Sequence, residues 1–133
     1  MIPGFRMDTV PGGRAVVVTI EGEVPRGAVS QANEDLLDLL GGECRYLILD
    51  CSRMTGVSSQ GLGLVVYFAS TLKRKGGAML MVPPPAEVMR RIGGEALRGL
   101  VRFVASVEEA IRQTAEAAGP GAAEPFGQAS KSG

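Results

Sequence analysis

The stretch Tyr46–Gly77, YLILDCSRMTGVSSQGLGLVVYFASTLKRKGG, constrains the fold more than any other part of the chain. Its first third is an apolar, β-rich run that reads as a buried central strand over Arg45–Cys51. A loop over Ser52–Val57 comes next, then a helix from about Ser59 to Lys75 that stops at Gly76-Gly77. Its last turn carries Lys73, Arg74 and Lys75, the charge that the carboxyl end of a helix dipole prefers. The same spacing puts the hydroxyls of Ser58 and Ser59 at or beside the helix N-terminus, where free N–H groups favour a negative group. A strand–helix unit that re-enters a strand at Ala78–Val82 calls for a parallel sheet with crossover helices.

The flanks extend this pattern. Phe5–Val10 and Arg14–Ile20, the latter with the β-branched run AVVVTI, are joined by Pro11-Gly12-Gly13 and read as a hairpin. Ala28, Ala32, Leu36, Leu39 and Leu40 recur at helical spacing, with Gln31, Glu34, Asp35 and Asp38 on the other face and Gly41-Gly42 as the stop. Pro83-Pro84-Pro85 ends the Ala78–Val82 strand and prepares a short helix from Ala86, with Val88, Met89 and Ile92 inward. Val101–Ala105 is the last strand, and Ser106-Val107-Glu108-Glu109 has the form of a capped start to a final helix reaching Ala117. The order is ββαβαβαβα: an α/β fold with a mixed, mostly parallel sheet of about five strands and about four helices packed mainly on one face. Residues 1–117 form the expected domain, and 118–133, poor in large apolar side chains, are expected to be a flexible tail.

Composition excludes several functions. Fourteen basic and fourteen acidic residues in 133 cancel, so no whole-chain field draws the protein to nucleic acid or anionic lipid. No segment approaches the ~18 consecutive apolar residues of a membrane span, and the start MIPGFRMDTVPGG lacks the form of a signal peptide; the expected location is the cytoplasm. Histidine is absent, which removes the usual base for a serine nucleophile, and Cys44 and Cys51 alone do not make a zinc site. No metal or cofactor is expected, and the two cysteines read as free buried thiols.

Local motifs that look chemical have blander readings. Ser70-Thr71-Leu72-Lys73 matches S-x-x-K, but no S-D-N or K-T-G accompanies it. Gly61-Leu62-Gly63 opens a helix after a strand, but Val66 stands where a dinucleotide fingerprint needs its third glycine. Asp50 at the end of the central strand reads as a cap for the adjoining turn. Leu62, Val65 and Val66 read as core by their helical spacing. The residues therefore give little support to an enzyme.

With these residues in view, the chain resembles the STAS domain family of anti-sigma factor antagonists and sulphate-transporter tails, over about residues 5–116. The resemblance rests on YLILDCSRMTGVSSQGLG, on LKRKGG with AMLMV, and on VRFVASVEEAI. In that family a strand ending in Asp leads through a short loop to D-S-x-G-L-G, and the Ser of the motif is phosphorylated by a partner kinase that is also the anti-sigma factor. The matching residue here is Ser59, followed by Gly61, Leu62 and Gly63. Ser58 stands where the family usually has Asp, and Pro25 stands where G-E-L-D usually supplies another. The resemblance implies a GHKL-type serine kinase as partner, phosphorylation at Ser59, and a contact surface of Gly56, Ser58, Ser59, Gln60 and Gly61. It equally allows an unphosphorylated STAS scaffold docked on a transporter ATPase or a signalling assembly.

Overall fold

A computed structural model describes residues 5–10, 15–23, 34, 38, 44–92 and 97–118. Five strands form one sheet in chain order: β1 (Phe5–Thr9), β2 (Ala15–Glu23), β3 (Tyr46–Gly56), β4 (Ala78–Val82) and β5 (Val101–Phe103). The three helices described are α1 (Ser59–Arg74), α2 (Ala86–Ile92) and α3 (Val107–Ala118). β1 and β2 pair antiparallel and all other neighbours are parallel, so the expected hairpin and parallel sheet are both present. Most of the helix expected over Ala28–Leu40 lies outside the described residues, although Glu34 and Asp38 are helical and exposed. The tail beyond Ala118 also lies outside them.

Strand alternation gives the sheet two apolar faces. Val16, Val18, Leu47, Leu49, Met79 and Met81 point to one side, where Phe68 and Leu72 of α1 and Val88 of α2 meet them. Ala15, Val17, Tyr46, Ile48, Leu80 and Val82 point to the other, where Val104 and Ala110 join them, with Val107 and Ile111 of α3 packed alongside. Two of the three described helices thus share a face and α3 covers the opposite one. The cause is topological: right-handed crossovers that advance in one direction leave α1 and α2 on the same side, whereas α3 comes after the last strand and is free to cross.

β2 and β3 run further than their apolar cores predict, and Ser52–Gly56, read as loop, is strand. The register slips twice, between Thr19 and Glu21 and between Gly22 and Glu23, each time with one extra residue in β3. The slips break the period of two: Cys51 and Met54 are both buried although three residues apart, and Ser52 and Arg53 between them are exposed. The Asp50 carboxylate accepts the Ser52 N–H at 3.1 Å and the Ser52 hydroxyl at 2.7 Å, which is the capping role expected of it. Arg53 Nη1 donates to Glu21 at 3.1 Å across the arm.

The end of α1 is a Schellman turn. Gly76 N–H donates to the Lys73 carbonyl at 3.1 Å and Gly77 N–H to the Leu72 carbonyl at 2.8 Å. The two glycines are needed for different reasons. Gly76 lies at φ +85°, while a Cβ on Gly77 would sit 1.7 Å from the Arg45 carbonyl oxygen. That same oxygen accepts the Ala78 N–H at 3.0 Å, so the turn brings β4 onto the start of β3.

At α3, the Ser106 hydroxyl accepts the Glu109 N–H at 3.1 Å and Glu109 accepts the Ala105 N–H at 3.0 Å, which is the capped start that the sequence predicts. Cys44 and Cys51 are free and buried. Burial, reinforced by the nearby Asp50 charge, pushes the Cys51 thiol from 9.0 up to about 12.

Two outcomes test this architecture. In urea unfolding, Gly76→Ala should cost ~1–2 kcal/mol from left-handed strain, and Gly77→Ala should cost more, because backbone must move out of its way. From pH 9 to 12 the unfolded chain releases a proton that folded Cys51 retains, so stability should fall as pH rises, by at most ~1.4 kcal/mol per unit from this thiol. Cys51→Ala should flatten that slope.

Candidate functional site

The residues singled out in the sequence meet where β3 ends and α1 begins. Ser58, extended at φ −75° and ψ 167°, is the N-cap of α1. Its hydroxyl oxygen accepts the Gly61 N–H at 3.1 Å and its carbonyl accepts the Leu62 N–H at 2.9 Å. Ser59 and Gln60 are the first two helical residues and both are exposed, while Gly61 is buried against the core. Half-buried Gly56 closes the strand before them. The two adjacent serines therefore differ: Ser58 holds the helix start, and no described residue takes up the Ser59 hydroxyl.

Helix α1 has no acidic residue in its first turn, whereas Lys73 and Arg74 occupy its last. The negative end of the dipole is complemented and the positive end is bare. Among the described residues nothing accepts the N–H groups of Ser59 and Gln60, as expected of the first turn of a helix. A dianion on the Ser59 oxygen would find a favourable field there.

Tertiary contacts add three residues to this rim that local pattern did not reveal. The Glu23 side chain lies over Gly56, its Cγ 3.7 Å from where a Cβ would project, so a carboxylate borders the site from the end of β2. Arg91 of α2 donates through Nη2 to the Thr55 carbonyl at 2.9 Å and pins the strand end. Tyr67, 49% exposed, stands two helical turns after Ser59, with exposed Gly63 between them. The i, i+4, i+8 spacing of Ser59, Gly63 and Tyr67 was the signal for this stripe. Tyr67 also packs edge-on to buried Phe68, with ring centroids 5.3 Å apart.

Other candidates fall away from chemistry. Leu62, Val65 and Val66 pack against the core, as their spacing predicts. No hydrogen bond joins Ser70 to Lys73, and among the described residues no three His, Cys, Asp or Glu side chains gather to hold a metal. No described helix is long and apolar enough to cross a membrane.

The two serines can be separated by stability. Ser58→Ala should cost about 1 kcal/mol in denaturant unfolding through loss of the cap, and Ser59→Ala should stay within about 0.5 kcal/mol of the parent.

Comparison with known proteins places this geometry. No curated protein sequence matches the chain. Solved structures do. A candidate anti-sigma factor antagonist of Thermotoga maritima superposes with TM-score 0.71 at 20% identity, covering 83% of this chain and 93% of that one. The anti-sigma factor antagonist SpoIIAA in its unphosphorylated form gives TM-score 0.71 at 24% identity over 82% and 94%. The phosphorylated form of the Bacillus cell fate determinant SpoIIAA gives 0.68 at 22% over 82% and 97%. At such identities these likenesses establish the fold, a five-stranded mixed sheet with helices on its faces. The family model of the STAS domain matches residues 6–118, and the chain belongs to the STAS domain family.

Proposed function

We propose that this protein is an anti-sigma factor antagonist, a non-catalytic binding module governed by phosphorylation of Ser59. The observation that carries the reading is the exposed Ser59 hydroxyl on the first residue of a helix whose N-terminus lacks acidic residues. In the unmodified state, Gly56, Ser58, Ser59, Gln60 and Gly61 form the contact for an anti-sigma factor that is itself a GHKL-type serine kinase, and its capture frees the sigma factor. Transfer of a phosphoryl group adds roughly −1.5 to −2 charges to the Ser59 oxygen. The helix N-terminus tolerates that charge, so the fold survives, while the partner must desolvate it and lets go. Residues 1–117 form the regulatory module, acting in the cytoplasm.

A second reading keeps the fold without the modification: a scaffold that docks constitutively on a transporter ATPase or a signalling assembly. It is favoured by Ser58 and Pro25, which replace two carboxylates that flank the phosphorylated serine in the family pattern.

The test is retention of partners on the immobilised full chain, with and without ATP, followed by intact-mass measurement. The expected result is an ATPase kinase retained and a gain of about 80 Da, the mass of a phosphoryl group, located at Ser59 and absent in Ser59→Ala. Ser59→Asp should weaken binding; a loss of ~3 kcal/mol corresponds to more than a hundredfold. A partner held equally by parent, Ser59→Ala and Ser59→Asp, with no mass change, would overturn the proposal and support the scaffold.

A further inference from the structure

β1 ends the strand order, with β2 on one side and no described strand paired on the other. Its ladder with β2 has no register slip, so the backbone groups that face the open edge can be assigned. Val10 N–H donates to the Ala15 carbonyl at 3.0 Å, in step with the pairing of Phe5 opposite Ile20 through Thr9 opposite Val16. Hydrogen-bonded and non-hydrogen-bonded pairs alternate along an antiparallel ladder. Arg6 and Asp8 therefore turn their backbone groups toward β2, while Phe5, Met7 and Thr9 turn theirs outward. Those N–H and C=O groups form an edge that can accept another strand.

The side chains decide which strand fits. Arg6 and Asp8 share one face of the sheet, and Met7 takes the other, opposite Val18 and packed on the core. Arg6 Nε donates to Asp8 Oδ2 at 3.1 Å, and the two side chains are 71% and 59% exposed. Half a turn about an axis through the edge at Met7, normal to the sheet, sets Met7 opposite Met7 of a second copy. Arg6 then faces the copy's Asp8, and Asp8 faces the copy's Arg6. Met7 and its counterpart fall at a hydrogen-bonded position, because both present outward backbone groups. The Arg6–Asp8 pairs fall at non-hydrogen-bonded positions, where opposing side chains are closest. Each carboxylate lies between two guanidinium groups, so charge alternates around the cluster. Sliding the copies by two residues either way puts Asp8 opposite Asp8 or Arg6 opposite Arg6, so charge selects the register.

We propose that β1 is a self-association edge: two copies of this chain join antiparallel through β1, centred on Met7, into one continuous sheet. Five residues on each side make a small interface, and exposed ion pairs add little affinity, so the dimer is weak and reversible. With the axis normal to the sheet, α1 and α2 of both copies lie on one face. The carboxyl ends of the two β3 strands point to opposite edges of the joined sheet, which carries each Ser59 away from the contact. Association does not rest on modification of Ser59.

The test is sedimentation equilibrium of the full chain from about 10 µM to about 1 mM. The average mass should climb from 13.8 kDa toward twice that value. Arg6→Asp makes every cross-strand charge pair acidic, and Asp8→Arg makes every one basic. Each variant alone should keep the parent circular dichroism spectrum and associate at least about tenfold more weakly. Mixed in equal amounts, the two variants oppose acid to base, and association should return to within about threefold of the parent. The double exchange Arg6→Asp/Asp8→Arg restores both pairs within one chain and should associate as the parent does. Ser59→Ala should also associate as the parent does, which separates this result from the fate of the phosphorylation proposal. A single 13.8 kDa species throughout, association unchanged in the two charge variants, or no recovery in the mixture and the double exchange would overturn the assignment.

Discussion

The fold depends on the approach of Gly77 to the Arg45 carbonyl. A side chain of any size there meets backbone, so the chain leaving α1 lies against the chain entering β3, and the Ala78 N–H closes the contact on the same oxygen. From that contact β4 runs parallel to β3 in fixed register, Tyr46 opposite Ala78 through Asp50 opposite Val82. With the carboxyl end of α1 fixed at the base of the sheet and Phe68 and Leu72 buried against it, the helix N-terminus is carried to the other end of β3. The position of Ser59 is thus set from the far end of a 16-residue helix as much as by its own neighbours.

That geometry leaves α1 electrostatically lopsided. Its basic end satisfies the dipole, and its amino end offers an exposed hydroxyl and two N–H groups with no carboxylate in the first turn. A helix start of this kind accommodates either a neutral or an anionic residue at its first position, so added charge alters what docks there more than it alters the fold. Arg91 and Glu23 frame the same rim from two other elements, which ties its shape to the packing of α2 and the length of β2.

Features decided within a few residues were legible in the sequence. The Ser58 cap, the Ser106–Glu109 capped start and the Gly76-Gly77 stop each depend on local hydrogen bonds, and each appears where the residue pattern puts it. The strand extension over Ser52–Gly56 was not legible, because two register slips destroy the alternation that marks a strand. The side of the sheet taken by α3 was not legible either, since Ala110 and Ile111 are spaced as any apolar helical stripe and the sheet offers two apolar faces. Tyr67 was easy to miss for a related reason: an aromatic within the apolar run LVVYFA reads as core unless its i+8 spacing from Ser59 is weighed against that run.

The cap on α1 also makes two chemically identical groups unequal. Ser58 and Ser59 are consecutive and carry the same nucleophile, yet an enzyme acting on Ser58 would first have to free an oxygen already bound to the Gly61 N–H. Giving up that bond costs about 1 kcal/mol, roughly a fivefold penalty before any contact with the enzyme is counted. The helix start behaves like a protecting group in synthesis, masking one hydroxyl and leaving its neighbour exposed.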